Sequence, residues 1–250
     1  MTTYQRAYFP SKKVNIQQGY GLTSSTHKYS YAIDNGGIYN LFAPFDCKVS
    51  KLYVPKTKNG KLDTKHSFEV WLTSTKKVLC SNGSYEYLTL SITHPYDIHK
   101  LKLEQEFKQF QPLGISTAVM TGTSTGCHAH LELSKGTKAG WDTNIAKKHN
   151  QYVNVNKIKL EDHLFLTKDT AISKETYKLK KYHFKKESEL LYVVKGVPSE
   201  PLYIRNKKTN KEIGKLYNGD EVLKFDNNTK CLVYHYGALG LTYKKYLKKK

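Results

Sequence analysis

Residues 121–133 read TGTSTGCHAHLEL, a run of small turn-forming residues that leads into a segment in which polar and apolar side chains alternate. This alternation has the two-residue period of a β-strand. Side chains two positions apart on a strand face the same way, so His128 and His130 project together from one face. The stretch therefore predicts a strand over residues 128–133 that carries two neighbouring imidazoles.

Two imidazoles side by side on a strand have three interpretations. Both can bind one metal ion, or one can bind it while the other moves protons beside it. The third interpretation is a pair of polar residues on a solvated strand face, which is the commoner meaning of an isolated His-x-His. Further metal-binding side chains elsewhere in the chain are needed to choose among them.

A second segment with such side chains lies at residues 26–34, THKYSYAID. His27 and Asp34 have six residues between them, and Asp34 closes an apolar, strand-like run. Zinc accepts both imidazole and carboxylate ligands, and a set of two His and one Asp leaves its fourth position open. Taken alone, Asp34 is more typical of a turn and His27 of an exposed surface.

A third segment, SITHPYDIH at residues 91–99, places His94 at the end of another apolar run. His99 is the reserve candidate for the role of His94. The three segments come in a fixed order: a His with an Asp, then a single His, then a small-residue turn before His-x-His. This order is far more specific than any one of its parts.

In this order the chain resembles the lysostaphin-type (LytM) zinc endopeptidases, which cleave the peptide part of bacterial peptidoglycan. The resemblance covers roughly residues 15–135 and includes APFDCKV at residues 43–49, which is similar to a strand of that family. It implies Zn²⁺ as cofactor and three zinc ligands, which are His27, Asp34 and His130. It also implies two catalytic histidines that flank the metal, which are His94 and His128.

The sequence departs from the family pattern in several places, among them a Gly that is missing near residues 104–105. The commoner first motif has three residues between His and Asp, so the six found here predict a longer loop between His27 and Asp34. The usual His-Leu-His is replaced by an Ala-centred triplet at residues 128–130, which changes the packing but not the side that faces the metal. The remaining histidines match nothing in the family and are predicted to be structural or surface residues: His66, His149, His163, His183 and His235.

Most apolar stretches are short, rich in β-branched or aromatic residues, and bounded by Gly, Pro, Asn or Ser. These stretches predict a mainly β fold. The resemblance implies that the first domain is an antiparallel β-sheet of the LytM type and that a small SH3-like β-barrel follows it. Residues 95–110 have poor helical periodicity and are predicted to form a loop with at most a short helix. Strands are predicted over residues 48–54, 67–72, 85–93, 118–122 and 128–133.

Residues 168–180 hold little that could build a core and are predicted to link a peptidase domain, residues 1–167, to a smaller domain, residues 181–250. Strands predicted over residues 190–194, 202–205, 221–225 and 231–236, with turns between them, indicate a small β-barrel. The phrase LYNGDEV, residues 216–222, resembles those of bacterial SH3-like cell-wall-binding domains. A purely structural capping domain is the alternative.

The composition describes a strongly basic globular chain. It has 250 residues, with 41 Lys plus Arg against 21 Asp plus Glu, a net charge of +20 and an isoelectric point near 9.6. An apolar share of 38% excludes a disordered or collagen-like chain. The excess of positive charge predicts an anionic partner, for which nucleic acid, a membrane surface and the teichoic-acid-bearing bacterial wall all qualify.

The four cysteines form no CxxC pair and are predicted to be free thiols made in a reducing cytoplasm. They are Cys47, Cys80, Cys127 and Cys231. No run of 18 apolar residues could cross a bilayer, and residues 1–15 hold no apolar stretch of signal-peptide length. Export by a cleaved signal is therefore not expected.

Together these features predict a phage endolysin, a zinc metalloendopeptidase that cuts cross-links or stem peptides of peptidoglycan. Its expected partners are a Gram-positive wall and the anionic polymers of that wall, without a dedicated nucleic-acid partner. It is expected in the host cytoplasm until lysis. The alternatives are a virion tail lysin, a catalytically inactive tail component, and a polyanion- or nucleic-acid-binding protein in which Tyr-rich strands stack on bases. The last alternative leaves the set of His and Asp residues unexplained.

Overall fold

The computed structural model describes residues 4–21, 26–173, 182–198 and 201–250. Strands hold 42% of the residues and helices 10%, so the predicted mainly β fold is confirmed. The two larger sheets, of eight and seven strands, are antiparallel throughout.

The strands up to residue 173 are β1 (Lys13–Val14), β2 (Ile16–Gln18), β3 (Ile33–Gly36), β4 (Asn40–Phe42), β5 (Cys47–Tyr53), β6 (Glu69–Ser74), β7 (Val78–Leu79), β8 (Tyr85–Glu86), β9 (Leu88–Thr93), β10 (Glu106–Phe107), β11 (Pro112–Ser116), β12 (His128–Lys135), β13 (Lys157–Ile158), β14 (Phe165–Leu166) and β15 (Ala171–Ile172). Helices α1 (Thr143–His149) and α2 (Leu160–His163) and a 3₁₀ helix at Tyr96–Lys100 lie among them. The later strands are β16 (Lys185–Lys186), β17 (Leu191–Val194), β18 (Leu202–Arg205), β19 (Glu212–Leu216), β20 (Glu221–Lys224), β21 (Lys230–His235), β22 (Ala238–Tyr243) and β23 (Leu247–Lys249), with 3₁₀ helices at Glu187–Leu190 and Lys244–Tyr246.

The eight-stranded sheet carries the predicted site on one of its faces. Seven of its strands run in the order β10-β5-β6-β9-β12-β3-β2, and β13 pairs with β12 beyond the end of β3. On β12, Leu131 and Leu133 are almost fully buried in the main apolar core. Because side chains alternate along a strand, His128 and His130 point to the opposite face, as the sequence predicts.

That opposite face is polar and densely hydrogen-bonded. The hydroxyl groups of Thr73 and Thr89 lie 3.0 Å apart on neighbouring strands. The Asn154 side chain donates to Ser91 Oγ at 2.9 Å and accepts from the Trp71 indole N–H at 3.3 Å. These bonds tie the segment around Asn154 to the sheet, so side chains on this face have fixed positions.

The strand predicted over residues 118–122 is wrong, and these residues form a loop. Met120 makes only an isolated bridge to Pro95. The Thr121 hydroxyl accepts a hydrogen bond from the Phe68 N–H and donates to the His94 carbonyl, both at 2.8 Å. The side chain that suggested a strand therefore anchors a turn. The short helix allowed within residues 95–110 is present as the 3₁₀ helix.

The second sheet is built from residues 182–198 and 201–250 and has its own apolar core. Its strands run in the order β19-β18-β22-β21-β20-β17-β23. Each of the four strands predicted in this region is present to within a residue or two, and β19, β22 and β23 add to them. The outer strands β19 and β23 share no pairing among these residues, so the hydrogen bonds define a sheet path and not a closed barrel.

An apolar cluster joins the second sheet to the first part of the chain. Tyr8 and Phe165 from the first part of the chain pack with Leu223, Phe225 and Tyr234 of the second. The predicted linker, residues 168–180, falls partly on residues 174–180, which lie outside the described residues. Its earlier residues include β15, which pairs with β1 in parallel. The domain boundaries at residues 167 and 181 stay a prediction.

The four cysteines are free thiols, as predicted, and Cys127 alone of them is partly exposed. Within the described ranges, no helix combines the length and the apolar character that a bilayer crossing requires.

Candidate metal centre

Four neighbouring strands bring a row of side chains into register across the polar face. Backbone pairing aligns Asp34 on β3 with His130 on β12, His130 with Thr93 on β9, and Thr93 with Glu69 on β6. Residues paired in this way have side chains on the same side of the sheet. The row therefore carries two of the predicted metal ligands at its β3 end and an acidic residue at its β6 end.

Three side chains meet around the carboxylate of Asp34. Its Oδ1 atom lies 3.1 Å from His130 Nδ1 and 3.5 Å from His27 Nε2. One donor atom from each of the three residues lies within 4.8 Å of the others. A tetrahedral zinc ion with ligand bonds of 2.0–2.1 Å holds its ligand atoms about 3.3 Å apart. The donor set fits such an ion, with one coordination position left over.

Burial prepares this donor set for a metal. His27 is 3% exposed and Asp34 is 8% exposed. Burial, with the charge of nearby His130, lowers the pKa of His27 to about 4, so its imidazole is neutral near pH 7 and can act as a ligand. Burial opposes ionisation of Asp34, but the hydrogen bond and positive charge of His130 hold the pKa of that carboxyl below its usual value. Neutral imidazole and ionised carboxylate are the forms that metals bind.

His130 lies between two carboxylates. Its Nδ1 atom faces Asp34, and its Nε2 atom lies 3.3 Å from Glu132 Oε1. Burial disfavours the charged ring, but hydrogen bonds to Asp34 and Glu132 outweigh burial and raise the pKa of His130 to about 10. A field that attracts a proton to this ring also attracts a divalent cation, which competes with the proton for Nδ1.

His94 and His128 border the same space, and each has its Nδ1 atom fixed by a backbone carbonyl. His128 Nδ1 lies 2.9 Å from the Gly126 carbonyl oxygen, and its Nε2 atom is 3.8 Å from Asp34 Oδ1. His94 Nδ1 lies 3.2 Å from the Thr121 carbonyl oxygen. The two ring centroids are 4.9 Å apart. Each Nδ1–H therefore donates to a carbonyl, which leaves Nε2 for proton exchange.

The backbone at His94 is held in an unusual conformation. Its φ angle is 88°, a left-handed value that costs a non-glycine residue on the order of 1–3 kcal/mol. The His94 N–H donates to the Phe68 carbonyl at 3.0 Å, and the Thr121 N–H donates to the His94 carbonyl at 2.8 Å. Burial and the charges of His130 and His128 lower the pKa of the His94 ring to about 4, so the ring is neutral near pH 7.

The structure thus brings all five predicted residues to one place. Of the other histidines, the exposed His66 lines a cavity together with His94 and His130, and its Nδ1 atom lies 2.9 Å from Asp63 Oδ2. The reserve candidate His99 has its Nδ1 atom 2.7 Å from the Tyr96 carbonyl oxygen of its own 3₁₀ turn. His149 stacks on Tyr29 with ring centroids 3.9 Å apart. The catalytic and metal-binding roles of the five residues stay predictions, which the geometry makes testable.

Sequence reasoning missed two acidic residues beside this centre. Glu132 was open to prediction, because it continues the alternation of His128 and His130 on one strand face. Glu69 had no local signal, since its neighbours on the sheet come from β5 and β9. Both carboxylates line a cavity of about 400 Å³ that reaches His94 and His130.

A second cavity, of about 690 Å³, opens on the other side of the centre. It is lined by all five predicted site residues, together with the turn at residues 123–126. His94 and His130 line both cavities.

Comparisons with known proteins give a phage relative. No family model matches the chain. Morphogenesis protein 1 of Bacillus phage B103 is 31% identical over 144 residues, which are 56% of this chain and 35% of that protein, so the chain spans about a third of its relative. Among solved structures, the antimicrobial peptidase lysostaphin from Staphylococcus simulans has a TM-score of 0.36 and 13% identity, over 95% of this chain and 92% of that one. Sequence similarity thus links the chain to a bacteriophage protein.

Proposed function

We propose that the chain is a zinc-dependent endopeptidase that cleaves peptide bonds of bacterial peptidoglycan. The observation that supports this most is the meeting of His27, Asp34 and His130 within ligand distance of one another, with two further histidines beside them. The LytM resemblance of the sequence points to the same five residues. A protein that only binds polyanions has no use for two buried and one partly buried metal-binding side chains at such distances.

In this proposal His27, Asp34 and His130 hold Zn²⁺, which when bound polarises a peptide carbonyl and makes water more acidic. The proton transfers belong to side chains of the chain itself. His128 accepts a proton from the attacking water at Nε2, because its Nδ1–H is engaged with the Gly126 carbonyl. The proton that His128 gains at Nε2 then passes to the leaving amine, which balances the transfer. His94, whose neutral ring keeps a lone pair at Nε2, would orient the attacking water.

We propose that the second sheet is an SH3-like unit that holds the enzyme to anionic wall polymers. Residues 171–250 carry 19 Lys plus Arg against 8 Asp plus Glu. Several of these lysines lie over tyrosine rings: Lys224 Nζ is 4.1 Å and Lys249 Nζ 5.4 Å from the centroid of Tyr192. The attraction between this positively charged unit and the anionic wall polymers weakens as salt rises, so wall binding through the unit falls with ionic strength.

The phage relative supports a place for the enzyme in the virus particle. The relative is named a morphogenesis protein and comes from a Bacillus phage. The second candidate is a free endolysin that stays in the host cytoplasm until lysis, which the layout of a peptidase followed by a wall binder favours. Detection of the chain in purified virions supports the first setting, and its restriction to the soluble lysate supports the second.

The test of the activity is loss of turbidity of purified Gram-positive cell walls, measured together with zinc content. Wild type is expected to clear the walls with about one zinc per chain. His128→Ala is expected to keep its zinc and to lose about 10²–10⁴-fold in rate, the usual contribution of a general acid or base. The matched control, His99→Ala, changes a histidine outside the centre and should clear like wild type. Absence of both clearing and zinc would reject the proposal.

A further inference from the structure

Glu69 places a buried carboxylate in the 400 Å³ cavity beside the candidate metal centre. The residue is 7% exposed and lines the cavity. One oxygen, Oε2, accepts a hydrogen bond from the Trp141 indole N–H at 3.0 Å. Among the described residues, no Lys, Arg or His forms an ion pair with it. A buried carboxylate without a cationic partner is rare in proteins, because burying an unpaired charge is costly.

Aromatic rings form the wall around this carboxylate. Tyr53 is paired with Glu69 across β5 and β6, and its ring centroid lies 5.4 Å from that of Trp141. Tyr152 lies on the other side, 4.9 Å from Trp141. A carboxylate among aromatic rings is the chemistry that holds ammonium groups, since ring faces attract cations. Trp141 already has one such contact, with Lys51 Nζ 4.7 Å from its ring.

The cavity is continuous with the reacting centre. Its lining includes His94 and His130 as well as Glu69. Glu69 and His130 stand in the same cross-strand row, two strands apart, which is about 10 Å at the usual strand spacing. An extended peptide covers that distance in about three residues. A substrate bound at the centre can therefore reach Glu69 with a group about three residues away.

The burial of Glu69 favours a cation next to its carboxylate. Burial and the neighbouring Glu132 carboxylate raise the pKa of Glu69 to about 8 in spite of the positive charges of His130 and Lys51, and a bound cation would offset the cost of ionising the group. Lys65 lines the cavity too, but its side chain is exposed, so water and salt screen its charge.

We infer that this cavity is a subsite for an ammonium group of the substrate and that Glu69 is the residue that recognises it. The inference rests on the proposed endopeptidase function and narrows its substrate to peptides with a free amine near the cleaved bond. Two amines have this chemistry, the α-amine at the end of a peptide branch and the ε-amine of a lysine side chain. Glu69 binds the substrate and takes no part in bond cleavage.

The test is a titration of the full chain, followed by tryptophan fluorescence, because Trp141 touches the proposed subsite. The probes are alanyl-alanyl-alanine amide, which has only an α-amine, N-acetyl-lysine amide, which has only an ε-amine, and the neutral N-acetyl-trialanine amide. The variants are Glu69→Gln, which keeps an acceptor for the indole, and the control Glu106→Gln, which removes an exposed carboxylate on β10. Zinc content is measured in each preparation and should not change.

We expect at least one charged probe to bind wild type and Glu106→Gln with equal affinity and Glu69→Gln about tenfold more weakly, as for loss of a charged hydrogen bond. The neutral probe should not distinguish the variants. The charged probe that shows the difference identifies the source of the amine. Equal binding of both charged probes to all three proteins, or no saturable binding of either to wild type, would overturn the inference. The comparison of charged with neutral probes on wild type is decisive even if Glu69→Gln does not fold.

This readout is independent of hydrolysis. Glu69-dependent binding by a protein that clears no walls would keep the subsite and reject the proposed function. Wall clearing combined with amine binding that does not depend on Glu69 would keep the proposed function and reject the subsite. On walls whose amines have been acetylated, wild type should slow about tenfold, to the rate that Glu69→Gln shows on untreated walls.

Discussion

The Nε2 atom of His130 lies 3.3 Å from the Oε1 atom of Glu132, two residues further along the same strand. The other carboxylate oxygen of Glu132 accepts the backbone N–H of Asn154 at 2.8 Å, and the Asn154 side chain donates to Ser91. A series of linked hydrogen bonds thus runs from the ring of His130 into the packed face of the sheet. These hydrogen bonds set the orientation of the ring and direct Nδ1 toward Asp34.

The first prediction concerns this contact. Glu132→Gln keeps the size of the side chain but removes the charge that orients and polarises His130. Loss of such an outer partner typically lowers metal affinity about 10–100-fold, and we expect a decrease in this range. Competition with a chromophoric zinc chelator measures it, with Glu106→Gln as the control at an exposed site. Unchanged affinity in Glu132→Gln would show that the ring needs no such support.

The strand β12 and the placement of its two histidines on one face depend on local sequence alone. The alternation of polar and apolar residues along this segment was therefore sufficient to predict both. The approach of Asp34 to His130 depends on pairing between strands 96 residues apart, and only the family resemblance pointed to it. Glu69 enters the same row through β6 and β9, and no pattern along the chain predicts that register.

One unpredicted helix and one wrong prediction have physical causes in single residues. Helix α1 has no buried side chain, so it lacks the apolar stripe that marks a helix in a sequence. Its start depends on the Asp142 carboxylate, which accepts the backbone N–H groups of Asn144 and Ile145. The loop at residues 118–122 has the composition of a strand, but Thr121 uses its hydroxyl to bind the backbone near His94.

The second prediction concerns the carboxylate at the centre of the donor set. Asp34→Asn is nearly isosteric but neutral, and Asp34 Oδ1 is the atom nearest to both His27 and His130. We expect zinc and wall clearing to be lost together, with a decrease in metal affinity larger than the roughly 100-fold of an outer-shell change. Metal analysis and turbidity on the same samples test this. Asp169→Asn, at an exposed position, should behave as wild type. Full zinc content in Asp34→Asn would remove it from the ligand set.

The third prediction uses two glycines with similar backbones and different surroundings. Gly122 has φ of 74°, and an added Cβ would lie 2.1 Å from Ser67 Oγ and 2.9 Å from the Ser67 backbone nitrogen. Ser67 Oγ lies 3.2 Å from His94 Nδ1, so displacing it should disturb that ring. We expect Gly122→Ala to keep its zinc but to clear walls at least about tenfold more slowly, because the His94 ring is no longer held in position.

Gly114→Ala is the matched control for that substitution. Gly114 has φ of 70°, so alanine meets the same backbone strain, but nothing lies within 4 Å of the added Cβ. Both variants should lose about 1 kcal/mol of stability through backbone strain, and Gly122→Ala should lose more because its Cβ would also meet Ser67. Only Gly122→Ala should lose activity, and equal rates for the two variants would contradict a positioning role for Ser67.

The fourth prediction concerns the cluster that joins the second sheet to the first part of the chain. Leu223 is 3% exposed and packs there with Tyr8 and Phe165 from the first part of the chain. Because this shared cluster couples the two parts of the chain, the wild type should unfold in a single calorimetric transition. Leu223→Ala should lower the free energy of unfolding by about 2–5 kcal/mol, as truncation of a buried leucine usually does. Because the lost contacts are those that couple the second sheet to the first part of the chain, two calorimetric transitions should appear. Leu103→Ala, at a 60% exposed leucine, is the control and should leave the single transition in place. One transition at the wild-type temperature in Leu223→Ala would mean that the cluster does not couple the two parts of the chain.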